Sequence, residues 1–422
     1  MADRNSKAKS AAKRAVKSNP KAFIIALIAV ILIVAIGFCV LYFGFPDTWD
    51  SIMSAVRGDD KPDGAGGTPP SGDLTLGEGE LKVHFVNVGQ GDCIYIQFPD
   101  NTDMIIDCGN KSRGYDFQTV KSYLTALNPD GKINHLMLTH ADEDHVDNMD
   151  EIIYEFEIEN IYMPNILSVP KNSKGEPYAD LQEQIDNLDR DTVARFDDKD
   201  VVNSRTYANF FIAALSEENC EVHINEDPDE QTNSIVIQQE TFRLTFYCPT
   251  EEYYDTTNLN NAERKNAVSP IGILEYNNRR VVLTGDSNEI NEPIFVRRIG
   301  GKLDCDVLKV GHHGSATSST AEFLDAITCE YAVISCNKEG NTFVHPRQVT
   351  LDRFKARNMS VYRTDKHGSI VLTIDGKGEL KFTVDNSDVT DEEIFKGADT
   401  ENAEATLSAL SFTLPLFAQL YI

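Results

Sequence analysis

The chain has 422 residues, of which 41% are hydrophobic and 25% are charged, and its net charge is −28. This is the composition of a globular protein with enough apolar material for a core, and it excludes a disordered or fibrous chain. The acidity argues against a broad surface that binds nucleic acid through its phosphates, although a local basic groove or bound cations could still do so.

The N-terminal region has the pattern of a membrane anchor. Residues 22–45 contain no charged side chain, and a run of this length spans a bilayer as a helix. It is longer than the apolar core of a cleaved signal peptide, which is the alternative. Residues 1–21 contain seven basic residues and one acidic residue, and positive flanks stay in the cytoplasm. We therefore expect a basic cytoplasmic tail, a single transmembrane anchor in the cell membrane and an extracellular domain.

Composition divides the remainder into three segments. Residues 46–79 are rich in Gly, Pro and Asp, which predicts a flexible linker. Residues 80–386 contain the apolar runs of a folded domain, and the tail at 387–422 is first acidic and then apolar. Seven cysteines follow the anchor, an odd number at no repeating spacing. This pattern predicts no disulfide framework and favours cysteines that pack in the core.

Short strand-like runs open the domain, namely LKVHFVNV, CIYIQF and DMIIDC, and a helical pattern follows over 117–127. The second half repeats this order, with strand-like FRLTFYC, SPIGILEY, RRVVLTGD, DVLKVG and YAVISC and helical patterns near 289–299 and 320–326. Two similar halves predict an α/β fold of four layers, an αββα sandwich. Between them, residues 165–203 are polar and irregular, which predicts an inserted surface lobe that shapes a binding site.

Four potential metal ligands follow one strand-like run. His140, Asp142, Asp144 and His145 lie within six residues, directly after INHLMLT. Charged groups this close would repel one another unless a cation lay among them, and imidazole and carboxylate suit a divalent transition metal. The cluster therefore predicts a metal site at the end of this strand.

Two further apolar runs end in groups of the same kind. Asp286 ends RRVVLTGD, and His312 and His313 follow DVLKVG. Each feature alone is compatible with an ordinary strand-end turn. Three strand ends that bring ligand types to one sheet edge favour a shared metal centre instead.

These motifs resemble the metallo-β-lactamase superfamily. The resemblance is to the branch that contains the hydrolase domain of the DNA-uptake protein ComEC and the choline-phosphate esterases of bacterial surfaces. It covers about residues 81–384 and rests on VNVGQGDCIYIQ, MIIDCGN, LTHADEDH, VVLTGD, LKVGHHGSATSS, His345-Pro346 and VYRTDKHGSI, in that order. It implies an αββα sandwich with the activity of a metal-dependent hydrolase.

The resemblance also implies two divalent ions, zinc or manganese. His140 and Asp142 would hold one ion, Asp144 and His145 the other, and Asp286 would bridge them. His313 is the favoured further ligand, with His312 as the alternative. The implied ligand set is His140, Asp142, Asp144, His145, Asp286 and His313.

Two departures from the superfamily pattern bear on the number of ions. Asp142 stands where the superfamily often has histidine, which keeps manganese as plausible as zinc. A further histidine often lies between the first motif and Thr-Gly-Asp, and His223, the histidine found there, lies within a strand-like run. We interpret His223 as structural, so operation with a single metal ion is an alternative.

Several polar residues near the motifs are candidates for catalysis. Asp144, His312 and His345 are the candidate catalytic residues, and each histidine could protonate a leaving group or hold a phosphate. Asp107 and Asp92 are expected behind the metal ligands. Asp107 would orient a ligand histidine, and capping its own turn is the alternative.

Ser315, Ser269 and Gln90 are the candidate substrate-binding residues, and for both serines a cap of a turn or strand end is the alternative. The sequence thus predicts a membrane-anchored extracytoplasmic phosphodiesterase that uses a metal-activated water on single-stranded DNA or a surface polymer. One alternative is a hydrolase of another ester, a thioester or a lactam. The other is a non-catalytic module of a DNA-uptake or cell-surface assembly.

Overall fold

The computed structural model describes residues 69–70, 74–111, 117–189, 193, 201–224, 234–249, 265–266, 268–337 and 344–398. All of them belong to one compact unit, Gly66–Ile422. The expected cytoplasmic tail and anchor at 1–45, most of the linker and the tail beyond 398 lie outside the described residues. Among the described residues, no helix combines the length and the hydropathy needed to cross a membrane.

Strands and helices alternate along the described part of the chain. The strands are β1 Leu81–Phe85, β2 Ile94–Gln97, β3 Asp103–Ile106, β4 Lys132–Met137, β5 Glu157–Met163, β6 Leu167–Ser168, β7 Val201–Val202, β8 Glu221–Ile224, β9 Ser234–Gln238, β10 Phe242–Tyr247, β11 Ile271–Tyr276, β12 Arg279–Leu283, β13 Val307–Lys309, β14 Tyr331–Ile334, β15 Ser360–Arg363, β16 Ile370–Ile374 and β17 Leu380–Val384. The helices are α1 Phe117–Leu127, α2 Glu143–Val146, α3 Met149–Glu155, α4 Ala179–Asp186, α5 Arg205–Ser216, α6 Glu292–Ile299, α7 Ala321–Asp325, α8 Gln348–Ala356, α9 Thr364–His367 and α10 Asp391–Ile394.

Most of these strands form two large sheets. The first has the order β17-β16-β1-β2-β3-β4-β5-β8, and the second has the order β15-β14-β13-β12-β11-β10-β9. Strands β3, β4, β5 and β8 run parallel within the first sheet, and β12 to β15 run parallel within the second. The predicted strand-like runs of both halves are confirmed, and the helix predicted over 117–127 has those bounds.

Three separate apolar cores show the layering. Alternate residues of β1 and β2 point to opposite faces of the first sheet. On the face that meets the second sheet, Val83 and Ile96 share a core with Leu244 and Leu274. The outer face of the first sheet packs on α1, α3 and α5. The outer face of the second sheet packs on α6, α7 and α8. Three cores between four layers confirm the αββα sandwich.

The described parts of the segment 165–203, which composition predicted to be irregular, and of the C-terminal tail both have regular structure. The segment 165–203 contains the helix α4, whose Leu181 and Ile185 are buried, and the paired strands β6 and β7. The tail contacts the domain as far as Ala398. The Arg363 guanidinium donates to the backbone oxygens of Ile394 and Lys396, each at 2.8 Å, and the backbone N–H of Gln348 donates to the oxygen of Ala398 at 3.1 Å. Buried side chains thus hold α4 against the domain, and hydrogen bonds to Arg363 hold the described start of the tail.

Candidate metal centre

The candidate ligands lie at the carboxyl ends of parallel strands in both sheets. His140 and His145 follow β4, Asp286 follows β12 and His313 follows β13. Parallel strands end at the same edge of a sheet, and that edge is where α/β folds bind ligands. The two sheets therefore bring together the ligand types that lie far apart in the sequence.

Glycine allows two loops to approach the centre closely. A Cβ at Gly91, where φ is +133°, would collide with the backbone oxygen of Asp144. A Cβ at Gly311 would lie 2.5 Å from a backbone oxygen of the loop after β12. The chain turns at once after β13, and His312 and His313 adopt left-handed φ angles of 47° and 53°. Such backbone costs about 1–3 kcal/mol per residue and clusters at functional sites.

Hydrogen bonds to Nδ1 fix the rings of His145 and His313. His145 Nδ1 lies 2.7 Å from Asp107 Oδ2, and His313 Nδ1 lies 3.0 Å from the backbone oxygen of Ser335. Both partners are acceptors, so each Nδ1 carries the proton and donates it. The neutral rings then have lone pairs on Nε2, and these two Nε2 atoms lie only 3.2 Å apart. Lone pairs that face each other at this distance repel, and either a proton or a metal cation between them removes the repulsion.

His140 presents a third lone pair. Thr139 Oγ1 donates to Asp107 Oδ2 at 2.7 Å, so its oxygen accepts the hydrogen bond from His140 Nδ1 at 3.0 Å. His140 Nε2 is thereby left without a proton, and this buried atom has no hydrogen-bond partner among the described residues. Asp107 thus sets the tautomer of two histidines, directly for His145 and through Thr139 for His140.

The carboxylate of Asp286 faces both sides of this group. Its Oδ1 lies 3.2 Å from His145 Nε2 and 3.5 Å from His313 Nε2. Its Oδ2 lies 3.7 Å from His140 Nε2 and 3.8 Å from His312 Nε2. One oxygen toward each side is the arrangement that a bridging ligand needs.

These side chains fit a divalent cation. The ligand atoms of His140, His145 and Asp286 lie within 4.8 Å of one another, as do those of Asp144, His145 and His313. Imidazole nitrogens with carboxylate oxygens are a donor set for zinc or manganese. Burial alone would lower the pKa of His145, but the neighbouring carboxylates, first that of Asp286, outweigh it and raise this pKa well above its usual value. The centre therefore attracts positive charge.

The sequence paired Asp142 with His140 on one ion, and this pairing stays a prediction. His140 forms a candidate ligand group with His145 and Asp286. Asp142 Oδ1 lies 2.5 Å from the Lys265 ammonium, and its Oδ2 lies 3.8 Å from His140 Nε2. The lysine already pairs with this carboxylate, so a cation bound by Asp142 would share it with the Lys265 ammonium.

A buried ion pair lies behind His313. Lys309 Nζ is 2.7 Å from Asp92 Oδ2, with both side chains at most 1% exposed, and Asp92 Oδ1 is 3.5 Å from His313 Nδ1. Although burial favours the uncharged acid, the Lys309 ammonium lowers the pKa of Asp92. Asp92 is therefore a fixed negative charge beside the proton on His313 Nδ1.

Comparison with known proteins agrees with this geometry, because residues 86–211 match the Metallo-beta-lactamase superfamily. The chain contains a metallo-β-lactamase domain. It is 25% identical over 306 residues to ComE operon protein 3 of Bacillus subtilis, and the matched region covers 69% of this chain and 33% of that protein. It is 38% identical over 101 residues to Competence protein ComA of Neisseria gonorrhoeae, which covers 24% of this chain and 14% of that protein.

The chain spans about a third or less of the length of these curated relatives. Among solved structures, it is similar to the metallo-beta-lactamase fold protein YhfI from Bacillus subtilis. That similarity has a TM-score of 0.39 at 11% identity and covers 72% of this chain and 99% of YhfI. Residues 86–211 thus match the metallo-β-lactamase superfamily, and the chain is similar in sequence to competence proteins.

His312 and His345 lie beside the metallo-β-lactamase centre, with their ring centroids 5.4 Å apart. His312 Nε2 is 3.5 Å from Asn266 Nδ2. Burial lowers the pKa of His312, and burial together with repulsion from His312 lowers the pKa of His345 to about 2. Both rings are therefore neutral near pH 7. They can donate hydrogen bonds in this state, whereas the expected general-acid role requires an anionic substrate to raise these pKa values.

The three predicted substrate-binding residues are buried. Ser269 is fully buried, and its hydroxyl accepts the backbone N–H of Asp286 at 3.3 Å, so it positions that ligand. The Ser315 hydroxyl accepts the backbone N–H of Thr317 at 3.4 Å, as the alternative of a turn cap expects. Gln90 is 1% exposed in the loop after β1. Within the metallo-β-lactamase domain these residues shape the loops around the centre.

Sequence reasoning did not identify the two lysines of the site. Lys309 interrupts the apolar run DVLKVG, and a charge within a buried strand needs a buried partner, so this signal was available. Lys265 lies in a polar segment and reaches Asp142 from 123 residues away. Nothing in the local pattern of Lys265 distinguishes it from a surface lysine.

Proposed function

We propose that this chain is a membrane-anchored phosphodiesterase that acts outside the cytoplasmic membrane with divalent metal ions. The observation that carries the proposal is the convergence of three buried Nε2 atoms on the carboxylate of Asp286. Hydrogen bonds to Asp107, Thr139 and Ser335 fix the three rings. The ligands are therefore organised before a cation binds, as a hydrolytic centre requires and a passive binding module does not.

A bound divalent cation would supply Lewis acidity toward a phosphoryl oxygen and lower the pKa of a water molecule. Asp286 orients this chemistry, because its two oxygens face the two sides of the centre. Asp144 is 18% exposed and lies 3.5 Å from His313 Nε2, so its carboxylate can accept a proton at the solvent side. His312 and His345 can donate hydrogen bonds to the phosphoryl oxygens.

A phosphodiester suits the polar groups beside Asp142 and His312. Lys265 contributes an ammonium group, and the next residue, Asn266, contributes an N–H donor whose nitrogen lies 3.5 Å from His312 Nε2. Such groups bind phosphoryl oxygens by charge and hydrogen bonding. The net charge of −28 confines attraction for a polyanion to this local region. Single-stranded DNA and a phosphodiester-linked surface polymer both contain this unit, and similarity to competence proteins favours DNA.

The proposed location rests on the N-terminal charge pattern. Residues 1–21 would stay in the cytoplasm, residues 22–45 would cross the membrane, and the hydrolase domain would lie outside. The membrane is then a partner of the chain through a single helix, and the substrate is met on the outer side.

The decisive experiment measures hydrolysis of bis(p-nitrophenyl) phosphate and of single-stranded DNA by the full chain in detergent. Zinc or manganese is added to protein that has been stripped of metal. Asp286→Ala removes the carboxylate between the histidines, and Asp388→Asn removes an exposed carboxylate far along the chain as a matched control.

We expect metal-dependent turnover by the wild type and by Asp388→Asn, and none by Asp286→Ala. Turnover that persists in Asp286→Ala would show that another centre is responsible. Metal binding without cleavage of either substrate would overturn the phosphodiesterase and leave a hydrolase of other esters. A chain that binds no metal would contradict the proposal at its base.

A further inference from the structure

Two cysteines lie side by side at the edge of the second sheet opposite the metal centre. Cys305 precedes β13 and Cys329 precedes β14, and the two Sγ atoms are 3.2 Å apart. Both side chains are half-buried, so a small oxidant can reach them from solvent. The metal centre does not use either thiol, because its ligands follow the opposite ends of these strands.

The sheet register explains the contact. In the parallel pair β13–β14, Val307 is opposite Tyr331 and Lys309 is opposite Val333. Two residues earlier, this register places Cys305 opposite Cys329. The pairing extends that far, since the backbone N–H of Cys305 donates to the oxygen of Thr328 at 2.9 Å. Neighbouring strands lie about 4.8 Å apart, which is within the Cα separation of about 4.4–6.8 Å that disulfides show.

We propose that Cys305 and Cys329 form a disulfide bond when the protein meets a thiol oxidant. With a low-molecular-weight disulfide such as oxidised glutathione, one cysteine thiolate attacks a sulfur of the oxidant and releases one glutathione thiolate. The second cysteine then attacks the mixed disulfide and releases the other. In total, two protein thiols lose two electrons and two protons, and one glutathione disulfide is reduced to two glutathione thiols.

The bond would stabilise the sheet without altering the chemistry of the metal centre. It would join residues 24 positions apart and tie β13 to β14 where both strands begin. A cross-link of this kind restricts the unfolded chain and costs the folded sheet little, because the thiols already touch. For a domain of this size we expect a melting temperature about 5 °C higher in the oxidised protein than in the reduced protein.

The experiment treats the full chain with oxidised glutathione at pH 8, blocks the remaining thiols by alkylation under denaturing conditions and maps the peptides by mass spectrometry. The hydrogen bond to Cys329, followed by burial, raises the pKa of Cys305, so the reaction is followed over hours. Cys305→Ser and Cys329→Ser remove the bond one sulfur at a time. Cys220→Ser replaces another half-buried cysteine and is the matched control.

In the wild type and in Cys220→Ser, we expect a linked pair of peptides that contains Cys305 and Cys329. Its mass should be about 2 Da lower than the sum of the two reduced peptides. Both proteins should also show the higher melting temperature. Cys305→Ser and Cys329→Ser should show none of these changes. If alkylation after the oxidation step still modifies both thiols of the wild type completely, no disulfide has formed and the inference is wrong. Because neither readout involves metal or substrate, the result is independent of the proposed hydrolase function.

Discussion

The two sides of the metal centre are built on different principles. On the side of His313, two imidazoles present lone pairs 3.2 Å apart, and acceptors behind them fix both rings. On the side of Asp142, the carboxylate already binds the ammonium of Lys265 at 2.5 Å. On the first side the Lys309 ammonium pairs with Asp92, behind the ligand His313, whereas on the second side the Lys265 ammonium contacts the candidate ligand Asp142 itself.

This difference predicts unequal affinity for two ions. The first ion should bind between Asp144, His145 and His313, with Asp286 alongside, because among the described residues no ammonium group pairs with these ligands. A second ion on the side of His140 must displace Lys265 from Asp142 or share that carboxylate with it. We therefore expect tight binding of one ion and weaker binding of the second.

The largest effect should come from Asp286, which faces both sides. Asp286→Asn keeps the shape but removes the charge that holds the cation. Loss of a residue behind a ligand costs about 10–100-fold in metal affinity, so loss of this ligand should cost more than about 100-fold. Competition with a chelator measures the affinity, and Asp388→Asn is the control. An affinity within a factor of a few of the wild type would contradict the arrangement on both sides.

The next effect concerns stability on the side of His313. Lys309→Met leaves Asp92 as a buried carboxylate without its partner, which should lower the free energy of unfolding by roughly 3–5 kcal/mol. Denaturant unfolding of the metal-free protein measures this change. The double variant Asp92→Leu with Lys309→Met should recover much of the loss, and Lys381→Met on β17 should cost little. Equal stability of the single and double variants would contradict the ion-pair explanation.

Asp107→Asn should weaken metal binding by about 10–100-fold. Asparagine tolerates the left-handed backbone of this position, where φ is 57°. One of the two carboxylate oxygens becomes an NH2 group, however, and an NH2 group cannot accept the hydrogen bonds that Thr139 and His145 donate. Titration with zinc or manganese measures the change. Asp103→Asn makes the same substitution at the start of the same strand, and a similar loss of affinity there would argue against an orienting role for Asp107.

The smallest effect should appear at Lys265 and is opposite in sign. Lys265→Met frees Asp142 for a cation, so the second ion should bind about five- to tenfold more tightly, which corresponds to a partly exposed ion pair. Calorimetric titration resolves the two ions, and Lys171→Met is the control in an exposed segment. If the second ion binds no more tightly to Lys265→Met than to the wild type, Lys265 does not compete with a metal ion for Asp142, and the proposed difference between the two sides is wrong.

The fold was largely predictable because local sequence patterns specify the elements. The helix over 117–127 and the strands of both halves follow from periodicity and turn residues. The return of β16 and β17 to the first sheet was not predicted, since β16 pairs with β1 across almost the whole domain. The structure within 165–203 was also missed, because a few buried residues such as Leu181 decide it.

The sequence by itself determined the type and approximate place of the ligands, because imidazoles and carboxylates at the ends of apolar strands meet at one sheet edge. Only the tertiary structure decided which atoms face one another. Asp107 fixes two histidines, Asp286 faces both sides and Lys265 neutralises Asp142. These contacts join residues from different strands and loops, and their distances depend on sheet register and packing, which no local pattern encodes.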